Sequence, residues 1–458
     1  MTTMGTESLE ALRTSVQGTV LRPGDDGFAE ATFLWNAMID RSPAVVVQPR
    51  DTADVVAAVG HARASGMPLS VRGGGHNIAG TALADGGVTL DMSLLRAVEV
   101  DPVRRLATVQ AGCRLGDVDR ATQAHGLATP LGFVSEVGVA GLTLGGGLGY
   151  LTRRFGWAVD NLVEVELVTA DGRVRRASAI EEPELFWAMR GAGHNFGATV
   201  ALELELIELE EVSFGFVWFH PERTTEALEF FREWIPGAPD ELTTIVSVGH
   251  PPRQWGGPDE LSGQGAVHVI ACHCGEAAAA ERDLAPLRDH PAAVTDDVRR
   301  MPWSELAVGN DVFASGVHRR SRMHYLRDLT DEVIAISDRR ARELAPLSFM
   351  STHYYGGALR RVDEDATAMS HRDKPWNYMV STTWAPIEDG EPLRRWQDDY
   401  LAEIAHHAED AYYVNYLFDE PDHVGAAYNP RTWERLRALK RAWDPRNLFA
   451  ANQNVPPA

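Results

Sequence analysis

His76 ends a run of three glycines, Arg72-Gly73-Gly74-Gly75-His76-Asn77, which closes the strand-like Leu69-Ser70-Val71. Glycines carry no Cβ, so the N–H groups of such a loop can approach an anion closely. An imidazole directly behind the loop is held over whatever the loop cradles. About 60 residues later comes Val137-Gly138-Val139-Ala140-Gly141-Leu142-Thr143-Leu144-Gly145-Gly146-Gly147-Leu148-Gly149. Its glycines alternate with small apolar residues, so it can lie against a flat ring or a pyrophosphate. Neither stretch has the GxGxxG or GxxxxGKS/T spacing, so the usual Rossmann and P-loop readings fail. Gly191-Ala192-Gly193-His194-Asn195-Phe196 comes nearest and lacks the third glycine. Tight turns alone would account for one such stretch. Two of them, one ending in a histidine, point to a bound dinucleotide of another kind.

Other residues with chemistry lie in the second half. Asn415-Tyr416 stands near the end of a strand-like run, Tyr412 to Leu417. A phenol has a reference pKa of about 10, so Tyr416 serves as a base near neutral pH only if that value is depressed or the proton is relayed. Thr352-His353-Tyr354-Tyr355-Gly356-Gly357 and Trp376-Asn377-Tyr378-Met379 read as strands. Alternation places His353 with Tyr355 on one face of the first, and Asn377 with Met379 on one face of the second. An aromatic wall with a few polar tips suits a flat, ring-containing substrate, although the same pattern serves core packing. Cys272-His273-Cys274 lacks the second ligand pair of a structural zinc site, and a strand would split its side chains between two faces, so no metal is expected.

These residues need elements to position them. Residues 1–40 read as helical up to a break at Asp40-Arg41-Ser42-Pro43, followed by a strand from Ala44 to Val47. Asp51 can cap a helix whose Val55, Val56, Val59 and Ala62 face one side, with Gly66 and Pro68 ending it. Val88-Thr89-Leu90, Leu106 to Val109 and Val163 to Val168 are β-branched runs bounded by Gly or Asp. From 211 to 405, helices (Glu226 to Trp234, Ala277 to Leu287) alternate with strands (Val267 to Ala271, Leu347 to Tyr355, Tyr378 to Thr383), which suggests a sheet covered by helices on one face. Asn429-Pro430 opens a helix with Trp433, Leu436, Leu439 and Trp443 on one face. The 458 residues are enough for two or three domains with a large core. A formal net charge of −22 disfavours nucleic acid or an anionic membrane as partner, since both need clustered Lys and Arg. There is no run of 18 apolar residues and no visible secretory signal, and three cysteines fit a reducing cytoplasm without disulfides.

Taken together, the motifs resemble the FAD-linked oxidases of the vanillyl-alcohol oxidase and berberine bridge enzyme type, within which the chain looks most like the 6-hydroxy-D-nicotine oxidase group. The resemblance covers nearly the whole chain. It begins at Pro23-Gly24-Asp25 and Trp35-Asn36, and continues through Arg72 to Asn77, Leu90-Asp91-Met92-Ser93, Gly138 to Gly149, Asp160-Asn161 and Leu185 to Gly191. It ends on Tyr413 to Tyr416, Lys440, Asp444-Pro445 and Asn452-Gln453-Asn454.

The resemblance implies an α+β protein with a two-lobed FAD-binding domain of the PCMH type at 1–210 (core about 40–210). A substrate domain with an antiparallel sheet would occupy 211–405, and a segment at 406–458 would return to the first domain. It implies one covalent link, from His76 to the flavin 8α-methyl carbon. Many relatives add a second link from a cysteine at the place where this chain has Val134, which can form no thioether; Cys113 matches no linking motif. By resemblance Arg72, Gly73, Gly74, Gly75, Asn77, Gly138, Gly141, Leu142, Gly145, Gly149, Asp160, Val200 and Asn452 cradle the cofactor. Tyr416 with Asn415 would be catalytic, Tyr416 as the base, and Tyr150 would partly replace a tyrosine that some relatives carry where Leu148 stands. The expected activity is oxidation of an alcohol or amine of a small ring-containing substrate, with O2 as acceptor, in a cytoplasmic monomer or homodimer. A flavin-dependent oxygenase, a dehydrogenase and a redox-idle flavin-bearing binding protein are the alternatives.

Overall fold

The computed structural model describes residues 6–458 except 250–257, 259–260, 262–263, 310–314, 345–347 and 419. The first lobe is built on a strand–helix–strand crossover. Strand Val45–Gln48 leads into the helix Thr52–Ser65, which returns to strand Leu69–Arg72. Asp51 caps that helix as its sequence position predicts, its carboxylate accepting from Asp54 N at 3.0 Å, and Gly66 ends it with φ 67°. Val55, Val59 and Ala62 are buried against the sheet. The two strands flank Val88–Asp91 in parallel, and the short strand Thr19–Leu21 adds antiparallel to Val45–Gln48. The triple glycine thus leaves the carboxyl end of a parallel strand, where open sheets present their ligand crevice. A second, antiparallel sheet runs Val98–Asp101, Leu106–Gln110, Ala198–Glu205, Leu162–Val168, Val174–Ser178.

The N-terminal expectation needs correction. Among the described residues before 40, only Thr6–Ser15 and Phe28–Ala31 are helical. Gly24 (φ 94°) and Gly27 (φ 86°) take backbone conformations that a continuing helix cannot hold, and the strand Thr19–Leu21 gains a partner instead.

The second region is a single antiparallel sheet. Ala293–Asp296, Glu211–Phe219, Ala266–His273, Leu242–Gly249, Phe349–Tyr354, Trp376–Trp384 and His318–Leu326 lie side by side in that order, and Arg299–Pro302 also pairs with Glu211–Phe219. The strand expected from Leu347 begins at Phe349; Leu347 itself lies outside the described residues. Strand alternation divides the sheet's two faces. Val217, Val246, Val248, Val267, Val269, Tyr378 and Val380 join the buried side of the helices Thr224–Trp234, Ala277–Arg288, Asp331–Ala341 and Glu391–Ile404 in one core. Their neighbours Phe216, Ile245, Ser247, His268, Ile270, Ser351, Met379 and Ser381 face the other way, into a cavity. No helix of the described residues is long and apolar enough to cross a membrane.

The chain then returns to the first lobe. Asn429 caps the helix Pro430–Trp443 by accepting from Thr432 N at 2.8 Å. Lys440, fully buried on this helix, donates to Asp444 Oδ2 (2.7 Å), Asn195 O (2.7 Å) and Phe449 O (3.0 Å), and Asp444 also accepts from the N–H groups of Leu448 and Phe449. All three hydrogens of the ammonium are used, which is what keeps a buried charge tolerable. Asp444→Ala leaves that charge without its counter-ion, so it should destabilise the protein by about 3–5 kcal/mol. A urea titration followed by tryptophan fluorescence reads this directly, and an unshifted midpoint would show that the pair does not anchor the tail.

Candidate active site

A cavity of about 580 Å³ lies between the glycine stretches and the open face of the large sheet. Its floor is bare backbone. A Cβ on Gly74 would stand 2.3 Å from Gly138 N, and one on Gly138 would stand 2.3 Å from Gly74 N, so the two stretches touch only because neither residue has a side chain. Gly75 sits at φ 72°, a left-handed turn that carries His76 to the cavity. Gly73, Gly74, Gly75, His76, Asn77, Val134, Gly138, Gly141, Leu142 and Asn452, all expected around the cofactor, line it.

Five of the expected cradle residues do not. Arg72 points away along its strand, pairing with Asp91 at 2.8 Å and donating to Phe33 O at 3.0 Å, so it braces the loop from behind. Asp160 is taken by Arg372, which donates to both carboxylate oxygens (2.9 and 2.6 Å) and comes from the second region. Gly145 and Gly149 are contact glycines: a Cβ would meet Asn415 Oδ1 at 2.0 Å at the first and Leu131 O at 1.7 Å at the second. Val200 spends its carbonyl on Ala111 N (2.8 Å), and its neighbour Thr199 lines the cavity in its place.

The catalytic candidates Tyr416, Asn415 and Tyr150 all line the cavity, as does Leu148. Their segment at 412–417 is not the expected strand. Val414–Tyr416 is a 3₁₀ turn, because this stretch is fastened to the glycine-rich segment rather than to a neighbouring strand. Asn415 Nδ2 donates to Leu142 O (2.9 Å) and to the Tyr413 hydroxyl (3.0 Å), which itself accepts from Gly147 N at 2.8 Å. Burial pushes the Tyr416 phenol up to about 12 and raises that of Tyr413 as well. Both hydroxyls are therefore protonated at neutral pH.

Of the residues expected in the substrate wall, some reach the cavity and some do not. His353 lines the cavity, 5.6 Å from the Phe133 ring, and Met379 lines it too. Tyr355 and Asn377 do not. The strand ends at Tyr354, and Tyr355 N turns to bond Pro375 O at 2.7 Å. The Tyr355 hydroxyl accepts from Asn377 Nδ2 at 2.7 Å, and its ring packs on Trp157 and Tyr325, so the pair braces the wall from beyond the cavity. Cys272 and Cys274 are buried thiols whose pKa is raised by desolvation, and His273 turns to Asp283 (3.1 Å). Cys113 is buried, donates to Ala97 O, and is pushed up to about 12.

Residues given no site role from the sequence complete the site: Trp35 and His194, quoted there only within motifs, and Thr199, His268 and Arg319 line it as well. Burial lowers His353 and His194 to about 4 and His268 to about 3, and the Lys440 charge adds to the effect at His194. All three imidazoles are neutral at pH 7. Among the described residues lining the cavity there is no Asp, Glu or Lys. Three buried polar atoms of lining residues, His194 Nε2, Thr199 Oγ1 and Asn452 Oδ1, have no partner within the protein. Such atoms fall to a ligand with donors and acceptors of its own. A bare-backbone cleft, neutral polar atoms, the Arg319 guanidinium and a mostly apolar lining fit a flat dinucleotide cofactor.

Fold and site together define a flavin-linked oxidoreductase. Comparison with known proteins agrees. A model of the FAD-binding domain matches residues 43–178, and one described as berberine and berberine-like matches residues 412–456. (R)-6-Hydroxynicotine oxidase of Paenarthrobacter nicotinovorans is 31% identical over 456 residues, which covers 97% of this chain and 97% of that protein. The crystal structure of 6-hydroxy-D-nicotine oxidase from Arthrobacter nicotinovorans matches with a TM-score of 0.88 at 27% identity, over 97% of this chain and 99% of that one. Xylooligosaccharide oxidase from Myceliophthora thermophila, at 23% identity, shares the fold with a TM-score of 0.87 over 98% and 99% of the two chains. The chain belongs to the berberine-type family of FAD-linked oxidoreductases.

The floor makes a sharp prediction. Gly74→Ala drives a methyl group into the backbone of Gly138, a clash whose relief costs about 1–3 kcal/mol. The purified variant should carry less than about half the wild-type flavin per chain, read from its absorbance ratio. Gly60→Ala, on a helix where a Cβ would meet nothing within 4 Å, should leave flavin content unchanged. Equal flavin in both variants would show that the Gly74–Gly138 contact does not shape the cradle.

Proposed function

We propose that the protein is an oxidase that holds FAD by a single covalent bond to His76 and oxidises a neutral, ring-containing alcohol or amine with O2. The observation that carries this reading is that His76 and Tyr416 open into one cavity, over the Gly74–Gly138 floor. FAD supplies the hydride acceptor and the passage of two electrons to O2. The chain supplies the rest. Val134 lines the cavity without a thiol and Cys113 does not line it, which supports one link rather than two. The open face of the sheet offers Ser247, Ser351, Ser381 and two neutral imidazoles among apolar side chains, a surface that can hydrogen-bond a ring substrate and sequester it from water. A protonated amine would meet no carboxylate among the described lining residues, so its uncharged form is the one the site accepts.

With the phenol pushed up to about 12, Tyr416 binds the reacting oxygen or nitrogen as a neutral hydrogen-bonding group rather than as a standing phenolate. A group whose pKa is raised this far stays protonated until the pH approaches that value. The rate of flavin reduction should therefore show no tyrosine-dependent limb between about pH 6 and 9. Tyr416→Phe removes one hydrogen bond and should slow anaerobic flavin reduction by about tenfold, the equivalent of roughly 1.4 kcal/mol. A loss of about 10²–10⁴-fold, with disappearance of a rising pH limb, would instead make Tyr416 the general base.

The covalent claim is tested on the wild type. After acid precipitation the yellow colour should stay in the pellet, and intact mass should show one FAD added to the chain. His76→Ala should keep FAD bound in the native state and release it into acid. Hydrogen peroxide should appear in step with substrate oxidation; flavin that is reduced by substrate but not reoxidised by O2 would point to a dehydrogenase.

A further inference from the structure

The loop that presents His76 is glycine-rich, and such a backbone places little restraint of its own on the imidazole. The structure supplies the restraint from elsewhere. Trp35 N donates to Gly75 O (3.1 Å), just before His76, and Asn36 Nδ2 donates to Ile78 O (3.0 Å), just after it. The dipeptide Trp35-Asn36 therefore brackets His76 on both sides. The Trp35 ring stacks on the imidazole, with centroids 5.5 Å apart and planes 21° from parallel. The guanidinium carbon of Arg319 lies 4.1 Å from the centroid of the same indole. Arg319 belongs to the large sheet, and its backbone is locked to Asn36 by two hydrogen bonds: Arg319 N to Asn36 Oδ1 (3.1 Å) and Asn36 Nδ2 to Arg319 O (2.9 Å). Asn36 is 1% exposed and Arg319 is 6% exposed, so none of this is a surface accident.

We propose that Trp35, Asn36 and Arg319 form a clasp that orients the His76 imidazole for covalent attachment of FAD, and that docking of the substrate domain completes the clasp. This rests on the reading that His76 carries the flavin. In the attachment, the imidazole N–H and one C–H of the flavin 8α-methyl group are broken and one N–C bond forms. Two protons and two electrons are released to the flavin and on to O2, giving one H2O2. Trp35 contributes by holding the ring plane. A histidine on a glycine loop otherwise samples many orientations, and only those aimed at the methyl carbon react. Arg319 contributes through its hold on the indole, since a buried cation against an aromatic face is a directional contact. Asn36 joins the two regions at this point, so the clasp is complete only when Arg319 is in place. All three are positioning residues; the bond is made by His76.

The test compares substitutions that remove the stacking with substitutions that keep it, each purified as holoprotein. Three quantities are read: total FAD per chain, the share that stays in the acid pellet, and the melting temperature. Trp35→Leu and Arg319→Met should lower the acid-stable share of the FAD that is bound at least about twofold, a larger fall than any in total FAD or melting temperature. Trp35→Phe keeps a flat ring and Arg319→Lys keeps a cation, and both should recover most of the share. Should Trp35→Leu fold poorly, the Arg319→Met and Arg319→Lys pair decides. Acid-stable FAD at the wild-type share in Trp35→Leu and Arg319→Met overturns the clasp. So does a share that falls only in step with total FAD and melting temperature, since that marks a merely structural contact. If wild-type protein itself gives up all its FAD to acid, the covalent reading has failed, and the clasp fails with it for that distinguishable reason.

Discussion

Gly74 and Gly138 approach so closely that a single carbon on either would collide with the other's amide nitrogen, and the site depends on that contact. One belongs to the loop leaving the parallel strand Leu69–Arg72, the other to the stretch that caps the short helix Val139–Leu144. Their contact sets the floor of the cavity, and the residues around it inherit their positions from that floor. His76 is carried in by the turn at Gly75, Val134 by the approach to Gly138, and Asn415 by its bond to Leu142. Behind the floor, the Arg72–Asp91 pair ties the loop to the neighbouring strand, so the contact does not depend on a ligand to hold it.

The ceiling is a separate structure that has to be docked accurately. The large sheet turns its valines to the helices and its mixed face to the cavity, a division that follows from strand alternation. It is then fastened to the first lobe by a few polar ties at well-separated points: Asn36 to Arg319 and Asp160 to Arg372. The C-terminal segment adds a third fastening through Lys440, Asn195 and Asp444. Each tie is buried and has little freedom to slip, since breaking it strands a polar group or a charge. The proposed reaction needs such registration, because its cofactor floor and its proposed substrate wall lie on different parts of the fold.

Much of this is legible in the sequence where the determinants are local. Asp51 and Gly66 mark their helix, Asn429-Pro430 marks another, and the glycine run before His76 marks the cradle, because caps and turns are written within a few residues of where they act. Sequence and structure part where the deciding contact is distant. Tyr412 to Leu417 has the composition of a strand, yet its side chains bond to a glycine segment 273 positions away and wind it into a 3₁₀ turn. Asn36 and Arg319 meet across 283 positions, and no local pattern announces that. Arg72 and Asp160 carry charges beside a cofactor motif and so invite a binding role, but the structure gives each a buried partner elsewhere. His194 sits in a segment whose one recognisable feature, a broken Rossmann spacing, points to the wrong fold.

The distribution of charge ties the chemistry to stability. The chain carries a formal charge of −22, yet the described lining of the cavity includes no carboxylate, and its His194, His268 and His353 imidazoles are held neutral by burial. Keeping carboxylates out of the described lining avoids placing negative charge beside a cofactor that already bears a pyrophosphate. The same choice leaves His194 Nε2, Thr199 Oγ1 and Asn452 Oδ1 dependent on an occupant for their hydrogen bonds. A buried polar atom without a partner costs about 1–3 kcal/mol, so three of them amount to a substantial part of a typical folding free energy. Whatever satisfies them binds the folded chain and not the unfolded one, and it stabilises the fold by that difference. The covalent tether proposed for His76 would make such an occupant permanent. It would turn a stabilisation that varies with free cofactor concentration into a fixed property of the chain.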